Sequence, residues 1–277
     1  MFDWLAPLGV PLIRRAVVTL LVAGATFSLY GVFIITQGLT VIRFSLLHVG
    51  LLGSAVAVAC GWEPLAGALV AIVLAALSLG PLSERLKLNP GAVSALFMTG
   101  SLALAFILFY EAGLPAMEIF SLFAGSVLTV RPVEAWSVAI LGILTVILVA
   151  VFYRELQAVL YHREFAAALG VPARVLYYGM LTLTGLAVAV AIRLVGALLV
   201  DALIILPAMA ALPLARSAGQ AFALSALFGL LAGFGGVSAS LAFDWPIGAS
   251  VGVAGVVLLA AVQGIVRPLL HSRKERN

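Results

Sequence analysis

Residues 16–36 read AVVTLLVAGATFSLYGVFIIT: 21 positions without a charged side chain or a proline. As a helix this run is about 32 Å long, enough to cross the ~30 Å hydrocarbon core of a bilayer. Comparable runs recur along the whole chain, and their period is not the ten-residue alternation of an outer-membrane barrel. The 277 residues are 64% hydrophobic and 9% charged, with a mean hydropathy of +1.25. Fifteen Lys+Arg and eleven Asp+Glu cannot clothe a soluble particle of this size, so most of its surface has to face lipid. The sequence therefore predicts an all-α fold, a polytopic transmembrane bundle read as one domain over 1–277.

Glycine, proline and charge punctuate the hydropathy into spans near 16–36, 44–61, 65–82, 92–110, 133–153, 176–192, 196–212, 217–234 and 246–266. Nine is the expected count, and eight is the alternative. The stretch 119–130, IFSLFAGSVLTV, is too short to cross and too apolar for an ordinary loop, which suits a re-entrant or interfacial half-helix. Residues 1–15, with Phe2, Trp4 and Leu5 broken by Pro7 and Pro11, read as an interfacial entry and not as a cleavable signal. A cytosolic tail at 267–277 puts about eleven basic residues inside, in loops expected to hold Arg43, Arg85, Lys87, Arg154, Arg163, Arg174 and Arg216, and about four outside. The N-terminus is then external, with Arg14 and Arg15 as exceptions to the bias. The net charge of +4 is dispersed through short loops, which excludes a nucleic-acid patch. Cys60 is the one cysteine; it permits no internal disulfide and reads as a packing residue. Gly229 with Gly233, and Gly248 with Gly252, are expected to let helices pack closely.

Between the fifth and sixth spans lies the longest polar stretch, a loop over 155–174 expected in the cytosol. Within it Glu164-Phe-Ala-Ala-Ala-Leu-Gly170 reads as a short surface helix stopped by Gly170 and by Pro172 beyond it. Four segments of the chain, in order, are Gly31-Val-Phe-Ile-Ile, Ser45-Leu-Leu-His48-Val-Gly50-Leu-Leu-Gly53, Leu122-Phe-Ala-Gly125-Ser-Val-Leu, and the pair formed by Glu164-to-Gly170 with Val195-Gly-Ala-Leu-Leu-Val-Asp-Ala-Leu-Ile-Ile-Leu-Pro207. In these segments the chain resembles the permease subunits of zinc- and manganese-type ABC importers. The resemblance implies that Glu164, Phe165, Ala168 and Gly170 form a coupling helix docking on a separate cytosolic ATPase. It also implies an external metal-binding protein that delivers the cargo, and a second permease copy in a homodimer. Neither Lys87 nor Lys274 sits in a Gly-x-x-x-x-Gly-Lys-Ser/Thr loop, so ATP is expected on a partner; no nucleophile, base and orienter stand together, so the chain is expected to be a transport subunit with no cofactor of its own and not an enzyme.

Ionisable groups in hydrocarbon are costly and mark pathway residues by default. Two stand out, His48 among Leu46, Leu47 and Val49, and Asp201. His48 reads either as a transition-metal ligand or as a packed, hydrogen-bonded histidine. Members of the resembled family carry Gly-Asp-x-x-x-His at this place, whereas this chain has Arg43 and Phe44 before His48. Asp201 is then either a relocated ligand lining the path or the partner of Arg193 or Arg43 in an ion pair. Pro207 and Pro213 interrupt the seventh span. His162 and His271 read as solvated, and Glu111 and Glu118 as external acids. The expected function is a metal importer's permease, for zinc, manganese or iron; the alternative is a self-contained secondary transporter relaying protons through His48 and Asp201.

Overall fold

The structure is a computed structural model and describes residues 9–113, 130–195 and 200–266. Among the described residues there are helices and turns and no strand. In chain order they are α1 (Pro11–Thr36), α2 (Thr40–Ala59), α3 (Pro64–Leu86), α4 (Pro90–Glu111), α5 (Pro132–Val151), α6 (Tyr153–Tyr161), α7 (Arg163–Ala168), α8 (Ala173–Val195), a π-helical turn (Asp201–Ile205), α9 (Leu206–Ala211), α10 (Ala218–Phe243), α11 (Ile247–Ala261) and a second π-helical turn (Val262–Val266). Among the described residues, eight helices are long and apolar enough to cross a membrane. The half-helix expected at 119–130, the entry segment before residue 9 and the tail after 266 lie outside the described residues, apart from Val130.

Local chemistry sets several ends. Pro64, Pro90 and Pro132 occupy first-turn positions, where a missing N–H costs nothing. Ahead of α3, Glu63 accepts the Ala66 N–H (2.9 Å), and ahead of α4, Asn89 accepts the Ala92 N–H (2.7 Å). Glu134, buried in the first turn of α5, reaches back to the backbone N–H and Nε of Arg131, both at 2.9 Å.

The chain's contacts gather it into two compact units. One comprises residues 36–125 and 154–193 and is organised on α2. Gly53 and Gly67 face each other so closely that a Cβ on either would meet the other's carbonyl, and the Ser54 hydroxyl donates to the Pro64 carbonyl at 3.1 Å. On its other side α2 buries Leu51 and Ala55 against Ala105 and Phe109 of α4. Gly80 of α3 leaves room for Tyr178 of α8, and Gly185 of α8 for Ile72.

The other unit comprises residues up to 35, 126–153 and from 194 onward. Gly24 of α1 and Gly229 of α10 touch backbone to backbone, and the Ser225 hydroxyl donates to the Ser28 carbonyl at 2.8 Å. The close approach expected of Gly229 is therefore real. Gly252 has open space around it, so the second small-residue pair packs nothing within the chain at that position. Between α1 and α5, Gly142 accommodates Thr26, and the Tyr30 and Thr145 hydroxyls share a buried hydrogen bond.

The 196–212 stretch differs from the single helix expected. Its described part is the π-helical turn from Asp201 followed by the six-residue α9, about 16 Å of rise in all. Ala202, Leu203, Ile204 and Ile205 are buried, so backbone that departs from the α-helix is shielded from lipid by protein. Gly31 admits the Ile204 carbonyl, and Gly255 lies 3.5 Å, at its Cβ position, from the Ala202 carbonyl. The irregular turn is thus held between two glycines. The Gly219 N–H, at the head of α10, donates to the Tyr153 hydroxyl just past α5 (3.1 Å), so those two helix ends share one side of this unit.

Candidate functional site

Two groups of residues carry the expected chemistry, one in each region singled out by polarity. The segment expected to couple, 164–170, is the better formed. Gly170 takes φ +83°, a left-handed conformation that suits glycine. The Gly170 N–H donates to the Ala167 carbonyl and the Val171 N–H to the Ala166 carbonyl, both at 3.1 Å. Those two bonds define a Schellman end, and its usual apolar contact is present, because Val171 packs with Ala166 against Val159, Ala173 and Leu176. Ala166 is the one buried side chain of α7. The short helix is therefore pinned by a single alanine while Glu164, Phe165, Ala168 and Leu169 face outward, Phe165 at 64% exposure. Leu169, at 65% exposure, is the other large apolar side chain left open on this short segment.

His162 caps the other end. Its Nδ1 accepts the Phe165 N–H at 3.4 Å, so a residue expected to be merely solvated also starts the helix. Arg163 lies over the Tyr177 ring, 4.7 Å from its centroid, and ties α7 to α8. Gln37, in the turn between α1 and α2, donates to the carbonyls of Val159 (3.1 Å) and Leu160 (3.3 Å). A cleft of about 570 Å³ opens between that turn and the α6–α7 junction, with Gln37, Tyr161, Arg163 and Glu164 in its wall. The distant partners of Gln37 and Arg163 left no sequence signal; the His162 cap did, standing three residues before the N–H it accepts.

His48 lies two turns into α2 and is partly buried. Its Nδ1 is 2.6 Å from the Phe44 carbonyl. A carbonyl only accepts, so Nδ1 is the donor in this contact and Nε2 is the ring nitrogen left over. Metal-binding histidines are commonly oriented by such a bond. Arg43, expected in a loop, is instead a buried residue inside α2, because the helix starts at Thr40. Its guanidinium carbon stands 4.1 Å above the Phe44 ring. The two residues that replace the family's Gly-Asp thus pair with each other. Cys60, expected to pack, is exposed at the end of α2.

Asp201 is the first residue of the π-helical turn, and Arg193 lies in the last turn of α8; both side chains are outside the described set, as is the intervening 196–199. Among the described residues no three His, Cys, Asp or Glu side chains gather into a metal-binding group.

Among the described residues, eight helices of crossing length and one short exposed helix on a polar stretch define a multi-pass membrane protein. The chain matches the ABC 3 transport family over residues 10–265 and belongs to it. It is a transport subunit and not an enzyme, and this membership sets aside the self-contained secondary transporter. It is 26% identical over 248 residues to the manganese transport system membrane protein MntC of Halalkalibacterium halodurans, covering 90% of this chain and 85% of that one. It is 24% identical over 226 residues to the chelated iron transport system membrane protein YfeD of Yersinia pestis, covering 82% and 76%. PsaBC from Streptococcus pneumoniae, solved in complex with Fab, superposes with a TM-score of 0.84 at 24% identity and 99% coverage of both chains, which shows the fold.

Proposed function

We propose that the chain is the membrane-spanning subunit of an ATP-driven importer for a divalent transition metal of the manganese and iron class. The single observation that carries this reading is the family match over nearly the whole chain, joined to relatives named for manganese and for chelated iron that align over most of their own lengths. Zinc, expected alongside manganese, is not a metal for which those relatives are named. Two copies enclose the path, a separate ATPase works from the cytosol, and an external binding protein delivers the metal.

In this reading α7 is the coupling helix. Phe165 and Glu164 are its contact with the ATPase, and the Schellman end at Gly170 transmits the push into α8 through Val171 and Leu176. The path includes His48, whose Nε2 meets the passing ion, and Asp201, which supplies the carboxylate missing at Phe44. A borderline divalent cation takes imidazole and carboxylate together.

The test is manganese accumulation in proteoliposomes holding this chain and its partner ATPase. Uptake should require ATP and the loaded binding protein. Accumulation driven by a proton gradient without the ATPase would overturn the reading.

A further inference from the structure

Beside the approach of Gly142 to Thr26, α1 and α5 leave an open groove of about 270 Å³. It runs from Arg15 to Val22 on α1 and from Pro132 to Ala139 on α5, about 10 Å along both axes. Its walls are Val18, Val22, Ala135 and Val138, with Trp136 on the rim at 69% exposure. Only one end of it is charged. The Arg15 Nε donates to the Val130 carbonyl at 2.9 Å, which holds the guanidinium at the groove's mouth. Arg14 is exposed beside it, and Arg131 starts the neighbouring helix. Against these three cations the described residues at the mouth set one carboxylate, Glu134, already bonded to Arg131.

An apolar slot parallel to the helices, a tryptophan at its edge and a net positive mouth at the helix ends match one kind of occupant. We propose that this groove binds an anionic phospholipid, with an acyl chain against Val18, Val22 and Val138 and its phosphate beside Arg15 and Arg14. Tryptophan is at home at headgroup depth, where an indole has one apolar face and one wet edge. The proposal also accounts for the two arginines that depart from the charge bias of the other loops, since each guanidinium near an anionic headgroup strengthens binding by about fivefold.

The experiment places the full chain in nanodiscs of phosphatidylcholine containing increasing phosphatidylglycerol with brominated acyl chains, and reads quenching of Trp136. The other three tryptophans are replaced by Phe. Brominated phosphatidylglycerol should quench Trp136 at a mole fraction roughly an order of magnitude below brominated phosphatidylcholine. Arg15→Gln with Arg14→Gln should remove that preference, whereas Arg15→Lys should keep most of it. Because Arg15 also tethers Val130, Ala135→Leu provides a second variant that fills the slot and leaves the charges; it too should lower the quenching. Equal quenching by both lipids in the parent chain would overturn the proposal. So would a preference unchanged in both the double-Gln and Ala135→Leu variants, or Trp136 shielded from either lipid by a second copy of the chain.

Discussion

Replacing Gly170 by Ala isolates what its left-handed backbone contributes. A methyl group there would touch nothing within 4 Å, so the substitution adds no clash and its whole cost is conformational. At φ +83° an L-residue loses about 1–2 kcal/mol. Against that, α7 has six residues, too few to hold a helix unaided. It is kept by the burial of Ala166, the two Schellman bonds, the contact of Arg163 with Tyr177 and a long His162 cap. A loss of about 1–2 kcal/mol from so small a sum should raise the open population of the segment about 5–30-fold. Hydrogen exchange of the Val171 amide, whose bond to Ala166 closes the motif, reads that population directly. Exchange should accelerate by this factor in Gly170→Ala and further in Gly170→Val, and should stay near the parent rate in Gly170→Asn, which tolerates the left-handed region. Stimulation of the partner ATPase should fall in the same order while membrane insertion is unchanged. Unaltered exchange in both the Ala and Val variants would show that the glycine does not hold the helix end, and the transmission argument would go with it.

The remaining predictions address packing, sidedness and the path. Gly31→Ala would drive a methyl into the Ile204 carbonyl and to 2.8 Å from Ala208 Cβ, costing about 1–3 kcal/mol or more; Gly179→Ala, with open space around it, should be neutral in the same thermal unfolding series in detergent. Cys60, exposed in the α2–α3 turn, should react with an impermeant maleimide added outside intact cells, and a cysteine introduced at Ser272 of a Cys60→Ser chain should not; the opposite pattern reverses the orientation. His48→Ala should abolish most manganese uptake with little loss of thermal stability, whereas normal uptake in both His48→Ala and Asp201→Asn would remove the relocated site. If Asp201→Asn instead mainly lowers stability and Arg193→Gln restores it, Asp201 belongs to an ion pair.

What could be read from the sequence follows the strength of the physical constraint. Lipid tolerates no unpaired backbone and few charges, so the long helices are written plainly in runs such as 16–36, and eight of the nine expected stretches are helices of crossing length. The stop of α7 was equally legible, because Gly170 followed by Pro172 permits little else. The break at 201–205 was legible only in part, through Pro207, which interrupts the span two residues beyond the turn; Asp-Ala-Leu-Ile-Ile is itself apolar after its first residue, and the glycines that make room beside its carbonyls, Gly31 and Gly255, are far from it along the chain. Arg43 misled for a related reason: a guanidinium signals a loop by composition, but here an adjacent aromatic ring lets it enter a helix. The candidate ligands were visible as types, while the tautomer of His48 depended on a carbonyl geometry that only coordinates supply.

The contact of Gly24 with Gly229 also bears on how the protein is made. Those residues are about 200 positions apart, and at a synthesis rate of about 5–20 residues per second α1 waits ~10–40 s for its partner to leave the ribosome. The α2, α3 and α4 helices, joined by short turns, meet almost as soon as they emerge. During the delay the small-residue face of α1 lies bare in the bilayer or against the insertion machinery. One unit is thus assembled early and locally, and the other closes last, around a first helix that must be kept from pairing with anything else. Chains stalled before Gly229 should accordingly be the ones a membrane quality-control protease removes.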